Sequence, residues 1–236
     1  MTASLALCFD APMQSWGTRS RGVIRDTTRE PTKSGVVGLL ASALGIRRGD
    51  TKALAGLADL RMTVRVDREG ILERDYHTTQ NVPTTEGKGH RTVVSERYYL
   101  ADALFLVVLE GDPALLTRLH GCVDRPQWPV FFGRRAFVPA RPLRTADSLS
   151  DVPAGEVVAT HPWLEIDPDA REAERRRARR TPLRTVSDCA PTDPRAEPRH
   201  DHPVDFASRA FRTRHVLVDT TELTDDMIGA GGPLCT

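Results

Sequence analysis

The sequence predicts an α+β domain whose elements run βαββαβ, the ferredoxin-like order, with a β-hairpin protruding from its middle and a charged extension behind it. Three observations carry that prediction. Hydrophobic periods of two and of 3.6 alternate in that order through residues 1–143, a polar β-prone stretch interrupts them between two apolar strands, and from Arg144 the chain turns charged and Pro-rich.

Ser4–Phe9 reads as a short apolar first strand. Thr32-Lys33-Ser34-Gly35 opens a helix in which Val36, Leu39, Leu40, Ala43 and Leu44 share one face, and Gly45 stops it. Thr51–Leu57 is either a short helix or a turn. Leu60, Met62, Val64 and Val66 alternate with polar neighbours, as a half-buried strand does, whereas Ala103–Leu109 is apolar on both faces and suits a central strand. Asp112-Pro113 pairs an N-cap with a proline at the first helical position, and Leu115, Leu116, Leu119 and Val123 give that helix its core face. Val130–Phe132 then reads as the last short strand of the unit. The polar stretch Ile71–Ser95, with its tip at Glu86–Arg91, is an extended hairpin or else a surface loop.

These elements divide the chain into a core over residues 1–143, its hairpin at about 71–97, and an extension over 144–236. In the extension, Val157–Ile166 reads as a strand with Trp163 inward. REAERRRARR, Arg171–Arg180, spaces opposite charges as an exposed helix does, or serves as an RNA arm. The prolines from Pro182 to Pro203 imply an irregular connection, and residues 204–219 a strand that returns to the sheet with Phe206, Phe211, Val216 and Val218 inward.

Composition narrows the function classes. Net charge is +1, so no global basic field exists and any nucleic-acid site must be a local patch. Cys8, Cys122, Cys189 and Cys235 are scattered without a C-x-x-C pair, against a zinc module or a disulfide scaffold. No metal and no cofactor is expected: His200-Asp201-His202 stands alone in a charged Pro-rich stretch, and Walker A, nucleophile-elbow and H-E-x-x-H motifs are missing. The first apolar run lacks a basic flank and ends at Asp10, and none approaches the roughly 20 residues of a membrane span. A soluble, cytoplasmic protein is expected.

One segment carries most of the chemistry. Between the first strand and the first helix lies an Arg-rich, Gly-punctuated loop, APMQSWGTRSRGVIRDTTREPTKSG. A helix N-terminus presents unpaired N–H groups and a positive dipole end, an anion site beside Lys33. Arg19, Arg21, Arg25 and Arg29 precede it, and Trp16 is either a flat platform for a base or a buried wedge.

The wording of that segment, PMQSWG soon after a first strand and then PTKSGVVGLLASALGI, resembles the CasD subunits of the type I-E CRISPR surveillance complex, Cascade. The order of later segments agrees: Asp75-Tyr76-His77-Thr78, then Glu96-Arg97-Tyr98-Tyr99, then Phe132-Gly133-Arg134-Arg135, then Phe206-Ala207-Ser208-Arg209. The resemblance covers roughly residues 1–143 and 204–219. It implies a RAMP-superfamily protein with an RRM-like core and a thumb at the hairpin. Such a subunit is non-catalytic, binds the 5′ handle of the CRISPR RNA, and caps the filament of CasC backbone subunits next to the CasA large subunit in antiviral defence. It implies neither a membrane nor an obligate homo-oligomer. The RNA-binding candidates are Met13, Gln14, Ser15, Trp16, Arg19, Arg25, Lys33, Ser34, Gly35, His77, Arg97, Arg134 and Arg135.

The alternative is a metal-independent endoribonuclease that processes repeat RNA. Such cleavage needs an acid and a base near the 2′-OH and the leaving oxygen, and His77 with Tyr98 is the available pair, with Tyr76 and Tyr99 nearby.

Overall fold

The computed structural model describes residues 3–18 and 22–229. Its centre is β7 (Leu104–Gly111), flanked antiparallel by β1 (Ala3–Asp10) and β4 (Arg61–Arg68). β7 is apolar on both faces because both are covered. One face, with Phe105, Val107 and Leu109 beside Leu5, Leu7 and Phe9, packs under α1 (Lys33–Leu44), α2 (Thr51–Ala58) and α3 (Pro113–Cys122). The other, with Leu104, Leu106 and Val108 beside Ala6 and Cys8, packs under α4 (Ala154–Thr160). Each fully buried Leu, Val or Phe contributes about 1.5–3 kcal/mol of transfer free energy, so this double cover fixes register as well as stability.

Local signals end the helices where the sequence marks them. Thr32 caps α1 through its hydroxyl and Gly45 closes it at φ 71°, while the Asp112 carboxylate caps α3 and Pro113 occupies its first turn. Thr51–Leu57 is helical, capped by Asp50.

The polar stretch forms a two-stranded ribbon, β5 (Ile71–Pro83) against β6 (His90–Ala101), largely exposed and turning at Thr84–Gly89. Two short strands attach to β6: β2 (Met13–Gln14) antiparallel at its base and β3 (Ile24–Arg25) parallel along its side.

The sheet departs from the sequence reading after α3. Val130–Phe132 is not a strand. Phe132 and Phe137 drop into the core while the chain runs beside β1 as a loop, and the strand on the other edge of β1 from β7 is β8 (Arg144–Ser150). The sheet therefore crosses the boundary drawn at 143, and it extends beyond β4 through β9 (Leu183–Asp188), β11 (Ala210–Thr221) and β10 (Glu197–Asp205). The single strand expected over 204–219 is thus a hairpin. Pro198 and Pro203 are tolerated because β10 is the edge strand. Val157–Ile166 also differs, since Val157 and Val158 lie on α4, though Trp163 does pack inward, on Leu183, Leu223 and Met227. The Arg-rich helix is α5 (Pro168–Arg175), followed near the end of the described chain by α6 (Asp225–Gly229). Arg171 and Glu174 of α5 are buried, so that helix is anchored rather than solvated all round. No helix among the described residues is long and apolar enough to cross a membrane.

Candidate nucleic-acid interface

The PMQSWG segment is a plug, not a platform. Gln14 is buried, its amide donating to the carbonyls of Phe9 (3.1 Å) and Ala103 (2.8 Å) while its side-chain oxygen accepts from the Trp16 indole N–H (3.3 Å). That fixes the indole at 1% exposure, stacked on Phe9 at 5.7 Å and tilted against Phe132. The ring also lies across the start of α1, where a Cβ on Gly35 would meet it at 2.8 Å, so only glycine fits there. Of the two readings of Trp16, the wedge is the one observed. Its backbone is held by Thr27 and Thr28, which return the chain to α1 after the Arg-rich excursion. Arg19 and Arg21 of that excursion lie outside the described residues.

The anion site expected at the start of α1 is filled by the chain itself. The Lys33 N–H donates to the Asp201 carboxylate (2.8 Å) and the Gly35 N–H to the Thr32 hydroxyl (3.2 Å). The Lys33 side chain turns inward, its ammonium donating to the Leu60 carbonyl and to Asp188 at 2.7 Å. Arg214 bridges Asp188 (2.5 Å) and Asp201 (2.7 Å). Burial works against the Asp188 carboxylate, but Lys33 and Arg214 outweigh it and hold its pKa below the usual carboxylate range. Lys33 is therefore part of the core, correcting its placement as a phosphate ligand. Asp201, set aside as a metal ligand, accepts the first free N–H of α1 beside the Thr32 cap. Among the described residues no cluster of His, Cys, Asp or Glu is arranged to hold a metal.

The remaining cations do converge. A polar cleft of about 490 Å³ opens between the Ser15–Gly17 loop, the start of α1, β3, β6 and the turn after Phe132. Arg25, Arg97 and Arg134 line it, with Asp26 at its edge and Ser34 and Gly35 on its floor. Gly133 makes this possible. Its φ is 90°, and a Cβ there would lie 1.9 Å from the Ser15 carbonyl oxygen, so the turn docks backbone to backbone on the plug. Arg134 then donates to the Tyr98 carbonyl at 2.7 Å and lies over the Phe137 ring at 5.2 Å. Burial first, and then the Arg97 charge, pull the Arg134 guanidinium below the ordinary arginine range, and Arg25 adds to that while Asp75 opposes it. A concave site in which like charges crowd one another favours an anion that relieves the crowding.

Other candidates sit elsewhere. Arg135 is exposed beside the cleft, and Met13 is exposed at the base of the ribbon. His77 and Tyr98 do not meet. His77 is opposite Ser95 and shares a ribbon face with Arg97, whereas Tyr98 is opposite Arg74 on the other face, with its hydroxyl toward Glu96 at 3.5 Å. Two cleft residues escaped the sequence reading, Phe206 and Phe211, half-buried at the β10–β11 turn with their rings edge to face. FASR was the available signal, but it read as the opening of a strand.

A family model described as CRISPR-associated protein (Cas_Cas5) matches residues 4–217. The CRISPR system Cascade subunit CasD of Escherichia coli (strain K12) is 36% identical over 158 residues, which is 61% of this chain and 70% of that protein. Among solved structures, one titled "Crystal structure of Cas protein" is 35% identical with a TM-score of 0.72, covering 93% of this chain and 95% of that one. A chain of a "CRISPR RNA-guided surveillance complex" is 33% identical with a TM-score of 0.75, covering 95% of this chain and 92% of that one.

Proposed function

The chain belongs to the CRISPR-associated protein (Cas_Cas5) family, and we propose that it serves as the CasD-type subunit of a type I-E Cascade surveillance complex. In that role it is a cytoplasmic, non-catalytic RNA-binding subunit that holds the 5′ handle of the CRISPR RNA and caps the filament of backbone subunits. The observation that carries this is the cleft in which Arg25, Arg97 and Arg134 face one another across Gly133 and the start of α1. Phosphates of the handle enter there, with Arg135 and Ser34 beside them. Gln14, Trp16 and Lys33 act beneath the site by holding its loops, while Met13, Ser15 and Gly35 form its rim and floor and His77 lies further along the ribbon. Arg19 stays a candidate from the sequence alone, outside the described residues.

The architecture supports the same reading. The strand order β8–β1–β7–β4, with α1 and α3 on one face, is that of a ferredoxin-like unit, and the β5–β6 ribbon is its thumb. A two-stranded ribbon with so little buried surface is marginal in water by itself. It gains by packing on a neighbouring CasC subunit and the guide RNA. Against the endoribonuclease alternative stands the placement of His77 and Tyr98 on opposite ribbon faces.

The test is a titration of fluorescent handle RNA into the full chain between about 50 and 200 mM salt. Each lost phosphate contact flattens the salt slope by about 0.7 for single strands, so Arg97→Ala and Arg134→Ala should each do so and weaken binding across RNA sequences. Unchanged slopes in both variants would move the site elsewhere. Repeat RNA incubated with the chain in EDTA should stay intact, and cleavage abolished by His77→Ala would reinstate the alternative.

A further inference from the structure

We infer that Arg184, on β9 and outside the cleft, is a positioning residue for it: its guanidinium clasps the loop that carries Arg25 to the root of the ribbon that carries Arg97. The inference rests on the reading of the cleft as an RNA site. Register places the residue. β9 pairs with β4 as far as Thr185 opposite Arg65, so Arg184 stands just beyond the last pair, where β4 runs out toward Glu69 and Gly70 and the ribbon begins. From there its fork divides. Nε and Nη2 donate to the two oxygens of the Glu69 carboxylate (2.8 and 2.9 Å), while Nη1 donates to Glu30 at 2.9 Å and Nη2 also reaches the Arg29 carbonyl at 3.4 Å. The bidentate hold on Glu69 fixes the plane of the guanidinium and so aims its remaining edge at Glu30. The Glu30 side chain is 12% exposed against 53% for Glu69, so water screens the loop side of the clasp less. The hydrogen bond to Glu69 first, together with that to Glu30, outweighs burial and holds the Arg184 guanidinium above the ordinary arginine range.

The cleft needs such a clasp. β3 is two residues long, and its register on β6 sets Arg25 directly opposite Arg97. Two residue pairs make a marginal strand, and like charges at facing positions push it away. Arg134 adds a third cation to the same cleft. The chain after β3 is therefore tied down step by step. The Trp16 N–H donates to the Thr27 hydroxyl at 2.8 Å, and the Thr28 hydroxyl bonds the carbonyls of Trp16 (2.9 Å) and Glu30 (2.8 Å). Arg184 then takes the Glu30 carboxylate, which Arg199 approaches only to 3.9 Å. The clasp thus holds Arg25 against Arg97 before RNA arrives, and binding is spared the cost of ordering the loop.

The test is anisotropy of a fluorescent single-stranded handle RNA across salt, with hydrogen exchange of the free full chain as the second readout. Arg184→Ala should weaken binding about 5- to 30-fold, through the fraction of chains whose loop is in place. Its salt slope should stay that of wild type, because no phosphate contact is lost. In the free variant the Trp16 and Thr28 amides, bonded to the Thr27 hydroxyl and the Trp16 carbonyl, should exchange faster. Glu30→Gln, which keeps the size of the side chain and removes its charge, should reproduce both effects, and adding Arg184→Ala to it should change little more. Arg184→Lys keeps the charge without the fork and should bind between wild type and Arg184→Ala. A flattened slope in Arg184→Ala would put the guanidinium on RNA itself and overturn the inference, as would unchanged exchange at Trp16 and Thr28. Wild-type affinity in Arg184→Ala and Glu30→Gln, with weakened binding in Arg97→Ala and Arg134→Ala, would refute the positioning role and leave the cleft standing. Indifference to Arg97→Ala and Arg134→Ala as well would remove the RNA reading, and this role with it.

Discussion

Replacing Lys33 with alanine should cost stability and leave the salt dependence of RNA binding alone, although the residue opens a helix in an Arg-rich segment. The Lys33 ammonium and the Asp188 carboxylate, 2.7 Å apart, have side chains 3% and 16% exposed. Removing one partner of a buried pair typically costs about 3–5 kcal/mol, most of it from the charge left behind. Here Asp188 keeps Arg214 at 2.5 Å and the Met62 N–H at 2.9 Å, so its charge is not orphaned and the lower bound of about 3 kcal/mol applies. For a chain of this length that is a fall in Tm of about 6–12 °C. Lys33→Met, which keeps the apolar stem, should lose less. Thermal melts followed by circular dichroism measure the first quantity and RNA anisotropy across salt the second. A Lys33→Ala variant with unchanged Tm and a flattened salt slope would place the ammonium on RNA and refute the internal assignment.

The same network gives a pH dependence. The Asp188 pKa is held below its ordinary value of about 3.9, so its stabilising effect is complete above that pH and is lost as the pH falls through the depressed value. Asp188→Asn should therefore melt lower than wild type at pH 7, with the gap narrowing as melts are repeated toward pH 3. Gly133→Ala places a Cβ against a backbone oxygen at 1.9 Å and at positive φ, and should lose about 3 kcal/mol or more together with RNA binding, because Arg134 is displaced. Gly87→Ala, also at positive φ but with nothing within 4 Å, is the control and should cost about 1 kcal/mol in the same melts. Replacing residues 79–93 by an Asn-Gly turn keeps the pairing of Asp75 with Arg97, so the core should melt as before while incorporation into the complex, followed by co-purification, declines. Loss of the fold in that variant would make the ribbon part of the core.

What the sequence exposes depends on how local the cause is. Thr32 and Gly45 at the ends of α1, Asp112-Pro113 before α3 and the two apolar faces of β7 each follow from residues within one turn or one strand, and each is legible. β8 is not, because RTADSLS pairs on one side only, with β1, and carries no alternating apolar stripe. Of the added strands, β11 is legible as the strand expected to return over 204–219, whereas β9 and β10 are silent. They are held by Lys33, Asp188, Asp201 and Arg214, charges that read as surface until the fold brings residues 33 and 201 together.

The candidate site repeats the lesson with consequences for function. A tryptophan in a glycine- and arginine-rich loop has the composition of a stacking platform, yet what buries Trp16 is the Gln14 amide reaching a carbonyl at Ala103, far along the chain. The wording marks the segment, while the places its side chains take follow from contacts that wording does not encode. Arg97 and Arg134 stand near aromatic and glycine residues in sequence, but only the absence of a Cβ at Gly133 brings the second against the first. Phe206, read as a core residue of a returning strand, does pack at the edge of the core and also lines the cleft, because β10 ends at Asp205 and the chain turns there. In this fold the plug and the buried ion network set the loops, and the loops set where Arg97 and Arg134 stand, each held by a hydrogen bond of its own, to the Ser95 hydroxyl and to the Tyr98 carbonyl.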